Sequence, residues 1–199
     1  MDHLSGLDAT FLYLETPEQP MHVGGLNVFE LPAGYSGDFV DDLRTHITQR
    51  MHLAPVFRRK LVNMPFELAN PIWALDDDMD MEYHIRSTVL PKPGNRAQLD
   101  RLVGCLHSSL LDRSRPLWEM YFIDGLADGR IAVVNKVHHA LADGVAAANL
   151  LALGMDLQEP GPDEDRESYE TDPAPTKFEL VRSAWRDHFR HIAEIPSTV

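Results

Sequence analysis

The segment Asn135-Lys136-Val137-His138-His139-Ala140-Leu141-Ala142-Asp143-Gly144 holds the side chains with the clearest capacity for chemistry. A strand-like run precedes the two histidines and helix-forming residues follow them, so they fall where side chains converge on a cleft. If a strand runs through both, successive side chains point to opposite faces. His138 and His139 then cannot easily hold one ion between them, and one can face a reaction centre while the other packs behind it. An imidazole with an ordinary pKa of about 6.5 is neutral near working pH and can take a proton from a hydroxyl. Asp143 stands where a helix N-cap belongs, and Gly144 lets the backbone turn closely there.

Competing chemistries have weaker support. No G-x-S-x-G elbow is present to signal a serine acyl-enzyme. Cys105 lies within an apolar helical pattern, without a helix start or basic neighbours to lower its pKa. Zinc is disfavoured because the H-E-x-x-H arrangement and any cysteine cluster are absent. A base that activates the substrate's own hydroxyl, followed by direct transfer, is the simplest mechanism left. A purely structural pair, a strand end plus a turn, is the bland alternative.

The elements around this segment alternate between strand-like and helix-like runs, which predicts an α/β domain. Leu26 to Leu31 reads as a short strand followed by the turn residues Pro32, Gly34 and Gly37. A helix is expected from near Asp38, with Phe39, Leu43, Ile47 and Met51 along one stripe. Met81, Tyr83, Ile85 and Val89 share one parity of an extended segment closed by Pro91, Pro93 and Gly94. Leu99, Leu102, Val103, Leu106 and Leu110 have helical spacing with Asn95 as cap. Trp118 to Ile123 and Ile131 to Val137 predict two strands of a hairpin across the turn-rich Asp124–Gly129. A third helix is expected over Gly144 to Leu153.

Beyond that helix the composition changes. Between Asp156 and Asp172 eight acidic residues accompany one basic residue, so this stretch carries −7 of the formal net charge of −13. It reads as a solvated linker over 156–175. A separate amphipathic helix within 176–199 follows, with the stripe Phe178, Val181, Trp185, Phe189 and Ile192 and the capping box Thr176/Glu179. The overall charge disfavours nucleic acid and general attachment to anionic lipid. Arg58-Arg59-Lys60 remains a local basic patch able to meet an anion. With one cysteine, Cys105, no internal disulfide forms, and a cytoplasmic location is the expectation. No signal peptide or membrane-spanning run is visible, which leaves room for peripheral contact with a membrane or lipid droplet.

His138-His139-Ala140-Leu141-Ala142-Asp143-Gly144 resembles the HHxxxDG signature of chloramphenicol-acetyltransferase-like acyltransferases. Leu4-Ser5-Gly6-Leu7-Asp8-Ala9-Thr10-Phe11-Leu12, Pro20-Met21-His22-Val23-Gly24 and Leu111-Asp112-Arg113-Ser114-Arg115-Pro116-Leu117-Trp118-Glu119 narrow the likeness. With Pro71-Ile72-Trp73 they are similar to the first half of bacterial wax ester synthase/diacylglycerol acyltransferases, over about residues 4 to 155. The resemblance implies a two-layer α/β sandwich, a mixed sheet packed by helices, as one of two such halves. Residues 1–155 would form the N-terminal acyltransferase domain, and the helix over 176–199 would lead toward a C-terminal domain absent from this chain. Without that half, in the same or a separate chain, the isolated chain is expected to be incomplete.

The resemblance also implies transfer from long-chain acyl-CoA, as co-substrate, to a hydroxyl lipid, giving wax ester or triacylglycerol. His139 becomes the general base. His138, Asp143 and Gly144 support the site, Pro116, Leu117 and Trp118 shape the fold or a tunnel wall, and no metal or bound cofactor is expected. Two alternatives stay open: an HHxxxDG acyltransferase that uses a carrier-protein thioester, and a non-catalytic lipid-binding protein of the same fold.

Overall fold

The computed structural model describes residues 2–64 and 70–141. The expected helix over 144–153, the linker and the terminal amphipathic helix lie outside the described residues, as do Asp143 and Gly144. The elements in chain order are β1 (Asp2–His3), α1 (Gly6–Leu14), β2 (His22–Phe29), α2 (Phe39–Arg50), two 3-10 turns (Met51–Leu53 and Pro55–Arg58), β3 (Arg59–Val62), β4 (Ile72–Leu75), α3 (Met81–His84), β5 (Ile85–Val89), α4 (Arg96–Ser108), β6 (Trp118–Asp124) and β7 (Ile131–His138). They form two sheets among the described residues, a small one in the order β1-β4-β3 and a larger one in the order β2-β7-β6-β5.

The larger sheet positions the histidines. β6 and β7 are the two arms of the expected hairpin, with Trp118 opposite Val137 and Ile123 opposite Ala132. The turn between them needs left-handed backbone at Gly125 (φ 81°) and Gly129 (φ 75°), which glycine adopts without steric cost. β5 pairs with β6 in parallel, and α4 supplies the crossover that a parallel pair requires. β2 closes the other side of β7 antiparallel, with His22 opposite His138. The sheet is therefore mixed and packed by helices, as expected.

Every residue of β7 is buried, because the strand is central and covered on both faces. Ile131, Val133 and Val137 join the main core with Trp118, Met120 and Phe122. Ala132 and Val134 face the other way, into a second cluster with Leu99 and partly buried Leu102, Val103 and Leu106 of α4. The spacing of those leucines is what seats α4. Its start is fixed by a capping box in which Asn95 accepts from the Gln98 N–H at 3.0 Å and the Gln98 side chain accepts from the Asn95 N–H at 2.9 Å. Asp38 caps α2 without a reciprocal partner, accepting from the Val40 and Asp41 N–H groups.

Two expectations are corrected. The segment from Met81 is not extended throughout: Met81–His84 form a helical turn because Asp80 accepts the Tyr83 N–H at 3.0 Å, and the strand begins only at Ile85. The basic patch is also met by carboxylates of the chain itself. Lys60 pairs with Asp76 at 2.9 Å and Arg58 with Asp77 at 3.5 Å. Among the described residues no helix is long and apolar enough to cross a membrane.

Pro116, Leu117 and Trp118 are all buried, Leu117 and Trp118 completely. The Trp118 indole N–H donates to the Phe57 carbonyl at 2.7 Å, and its ring stacks on His84 with centroids 4.5 Å apart. This motif is core at the junction of both sheets. Trp118→Phe keeps an aromatic ring but leaves the buried Phe57 carbonyl unpaired, so unfolding in urea should show a loss of about 1–3 kcal/mol. An unchanged midpoint would mean that the hydrogen bond contributes nothing.

Candidate functional site

β7 ends at His138, and the chain turns at once: the Leu141 N–H donates to the His138 carbonyl at 3.0 Å. The two histidines leave this point in different environments. His138 is fully buried, whereas His139 is half-buried. The backbone fixes both, with the His138 N–H on the Leu117 carbonyl at 3.0 Å and the His139 N–H on the Met21 carbonyl at 2.9 Å. The His139 ring lies against Phe11 of α1, with centroids 5.0 Å apart and planes 23° from parallel. Of the two rings, it is the one that solvent or a ligand can reach.

His138 is held from behind. Its Nδ1 accepts the Ala140 N–H at 2.9 Å, which leaves the proton of a neutral ring on Nε2. That nitrogen is 3.3 Å from Oε1 of Glu15, close enough for strong electrostatic contact but not a well-aligned hydrogen bond. Burial pushes the His138 pKa down from 6.5 to about 4, while the Glu15 charge pulls the other way and Arg113 and His22 add to the lowering. The ring is therefore neutral near pH 7. His139 stands beside a neutral imidazole rather than an imidazolium.

Glu15 ends α1, and its side chain is 1% exposed. It accepts the Met21 N–H at 3.1 Å and both the Nε and Nη2 groups of Arg113, at 3.2 and 2.9 Å. Burial alone would raise its pKa, but these donors and the facing His138 hold it below the usual carboxylate value. Arg113 Nη2 also donates to the Leu12 carbonyl at 2.6 Å, a cation at the C-terminal end of a helix where the dipole favours it. Sequence reading singled out neither Glu15 nor Arg113 as a site residue. They are 98 positions apart, and a lone acid after an apolar helix is a weak signal.

A second polar group lies on the same face of β7. Lys136 is fully buried, and its Nζ donates to the Leu106 and Ser109 carbonyls at 2.9 and 2.7 Å, tying the end of α4 to the strand. Glu119 lies 3.5 Å away on β6 and accepts from Tyr83, Tyr121 and Arg86. His22 donates Nε2–H to the His107 carbonyl at 2.6 Å, and its buried Nδ1 has no partner. A separate open cleft lined by Thr48, Met51, His52, Arg58, Asp76 and Met81 includes neither histidine of the pair. No group of three or more His, Cys, Asp or Glu stands together to hold a metal among the described residues.

The wax ester synthase/diacylglycerol acyltransferase catalytic domain model matches residues 4–199. The chain belongs to this family. A putative diacylglycerol O-acyltransferase of Mycobacterium tuberculosis is 48% identical over 199 residues, which is all of this chain and 42% of that protein. The wax ester synthase/diacylglycerol acyltransferase from Marinobacter aquaeolei VT8 superposes with a TM-score of 0.63 at 41% identity, covering 74% of this chain and 36% of that one. The starter condensation domain of rhizomide synthetase shares the fold alone, at 13% identity and a TM-score of 0.59 over 77% of this chain and 37% of that one. The chain thus has the expected chloramphenicol-acetyltransferase-like fold and spans about two fifths of the length of the curated relative.

The buried groups of this family member set a pH dependence. The unfolded chain protonates His138 near 6.5, but the folded state keeps it neutral down to about 4, so folding stability falls as pH drops through that window. His22 and His84, also lowered by burial, act in the same direction. The melting temperature should fall between pH 7 and pH 5, and His138→Gln should flatten the slope; an unchanged slope would refute the neutral buried ring. Glu15→Gln keeps the shape of the side chain but removes the charge that Arg113 faces. Since Arg113 is 44% exposed and partly screened, the expected cost is about 1–3 kcal/mol in denaturant unfolding.

Proposed function

We propose that this chain carries the catalytic base of an acyl-CoA-dependent O-acyltransferase, forming triacylglycerol or wax ester from a diacylglycerol or a long-chain alcohol. The observation that carries this reading is the asymmetry of the histidine pair. His138 is sealed in the protein with its Nε2 facing Glu15, while His139 is half-exposed at the strand end with its ring backed by Phe11. Family membership supplies the reaction class, and the asymmetry supports the reading of His139 as the base.

In the proposed reaction the acceptor hydroxyl gives its proton to the His139 imidazole as its oxygen attacks the thioester carbonyl carbon. The carbon–sulfur bond then breaks, and the imidazolium returns the proton to the departing CoA thiolate. No acyl-enzyme forms, because the acceptor itself is the activated nucleophile. His138 holds the turn by accepting the Ala140 N–H. Asp143 and Gly144 are read as residues that hold the loop beyond it. The C-terminal part that the relatives carry would close the substrate channel.

The test is release of free CoA from palmitoyl-CoA, with hexadecanol or a diacylglycerol as acceptor. It is run on the chain alone and on the chain joined to the C-terminal part that its relatives carry. His139→Ala should lower the rate by about 10²–10⁴-fold with the fold intact. Equal rates in both proteins would remove His139 as base. Turnover with a carrier-protein thioester but not with free acyl-CoA would replace the donor.

A further inference from the structure

α1 presents an unusual face for a short helix at a protein surface. Leu7 is 70% exposed and Leu14 56% exposed, and with Phe11 they stand at i, i+4 and i+7 on one side. The opposite side is used normally, with Ala9 and Leu12 buried in the main core. The exposed leucines are therefore not left over from core packing. Isolated apolar residues at a surface need no explanation, but a contiguous stripe that runs past a reactive side chain does.

Three observations identify what lies along it. First, the stripe is continuous with the candidate base, since its middle residue, Phe11, stacks on the His139 ring. Second, it carries no charge and offers little hydrogen bonding: the Thr10 hydroxyl beside it donates to the Gly6 carbonyl at 2.8 Å, and the Tyr13 hydroxyl donates to Asn70 at 2.9 Å. Third, the helix is tied to the rest of the protein at its C-terminal end and capped at its start. Glu15 and Arg113 clamp its C-terminal end, and Ser5 accepts the Asp8 N–H at its start. From Leu7 to Leu14 the stripe runs for roughly 10 Å at 1.5 Å per residue. This is a fixed, uncharged rail that passes the reacting position.

We propose that the Leu7–Phe11–Leu14 face of α1 is the wall along which the long acyl chain of the donor lies, an assignment that rests on the acyltransferase reading. An acyl chain whose thioester carbon sits at His139 must leave that position along an apolar surface, and α1 is the surface the geometry offers. Burying methylenes against it contributes binding energy that grows with chain length. The stripe thus sets preference for long chains, separately from the proton transfer at His139.

The experiment uses the chain joined to the C-terminal part that its relatives carry, and a palmitoyl-CoA analogue with a diazirine midway along the acyl chain. After irradiation, adducts should appear in the peptide containing residues 6–14 and disappear under excess palmitoyl-CoA. The double substitution Leu7→Ser with Leu14→Ser should lower kcat/KM for palmitoyl-CoA about tenfold more than for butyryl-CoA, because the short chain makes few of the lost contacts. Adducts found only outside α1, or equal losses at both chain lengths, would overturn the proposal; equal losses would mark the stripe as a protein–protein contact. The two readings separate cleanly. Labelled α1 without CoA release sinks the acyltransferase and keeps the wall, whereas CoA release without labelled α1 sinks the wall alone.

Discussion

A single buried carboxylate organises this end of the molecule. Glu15 brings together the end of α1, the loop at Met21, the segment at Arg113 and the last residue of β7. A charge 1% exposed is costly to hold away from water unless its oxygens are met by donors, and here the backbone and a two-pronged guanidinium meet them. The constraint acts in both directions. Because the carboxylate needs all these groups at once, the segments that supply them have one mutual arrangement, and α1 is fixed across the strand end where the histidines emerge. The preference for that arrangement is electrostatic, while the apolar contacts of Ala9 and Leu12 supply the bulk of the burial.

The same logic explains why β7 has two faces of different chemistry. One face, with Ile131, Val133 and Val137, packs into an apolar core interrupted by the buried amide of Asn135. The other begins apolar at Ala132 and Val134 and then carries Lys136 and His138, both fully buried. The polar positions coincide with the end of α4, where helix carbonyls lack intrahelical donors. Lys136 satisfies two carbonyls there, and Glu119 opposite it offsets the charge. His138 follows on the same face and is stripped of water by the same packing. Its neutrality follows from that burial, which outweighs the facing Glu15 carboxylate. His139, one residue on and past the end of the strand, is half-buried.

Local patterns made much of this legible. The leucine spacing of α4 with Asn95 before it, and the turn-rich Asp124–Gly129 between apolar runs, report on groups within a few residues of each other, so the sequence carries them directly. Strand alternation does not account for the difference between the two histidines, because β7 ends at His138 and the turn begins at His139. The helical turn at Met81–His84, read as extended, has a local cause: one aspartate, Asp80, satisfies a turn that alternation alone cannot reveal. Glu15 with Arg113, and Lys60 with Asp76, depend on chain folding over 98 and 16 residues, and single-sequence patterns hold no term for such pairs. The loop roles of Asp143 and Gly144 rest on motif resemblance, since those residues lie outside the described part.

Acyl transfer to an alcohol rather than to water demands more than a base. Water is a competing nucleophile, and the proposed His139 would activate it equally well if it had free access. Half-burial of the imidazole against Phe11 removes one side from solvent, and the uncharged α1 stripe extends that dry surface without offering water a strong partner. The remaining side of His139 cannot be closed by α1, whose ring contact covers a single face. Exclusion of water on that side therefore has to come from the acceptor lipid itself or from chain beyond residue 141. On the proposed function, a hydrophobic acceptor is then part of the selectivity: a lipid hydroxyl displaces water at the open side as it binds, whereas a small polar alcohol would leave the hydrolytic path open.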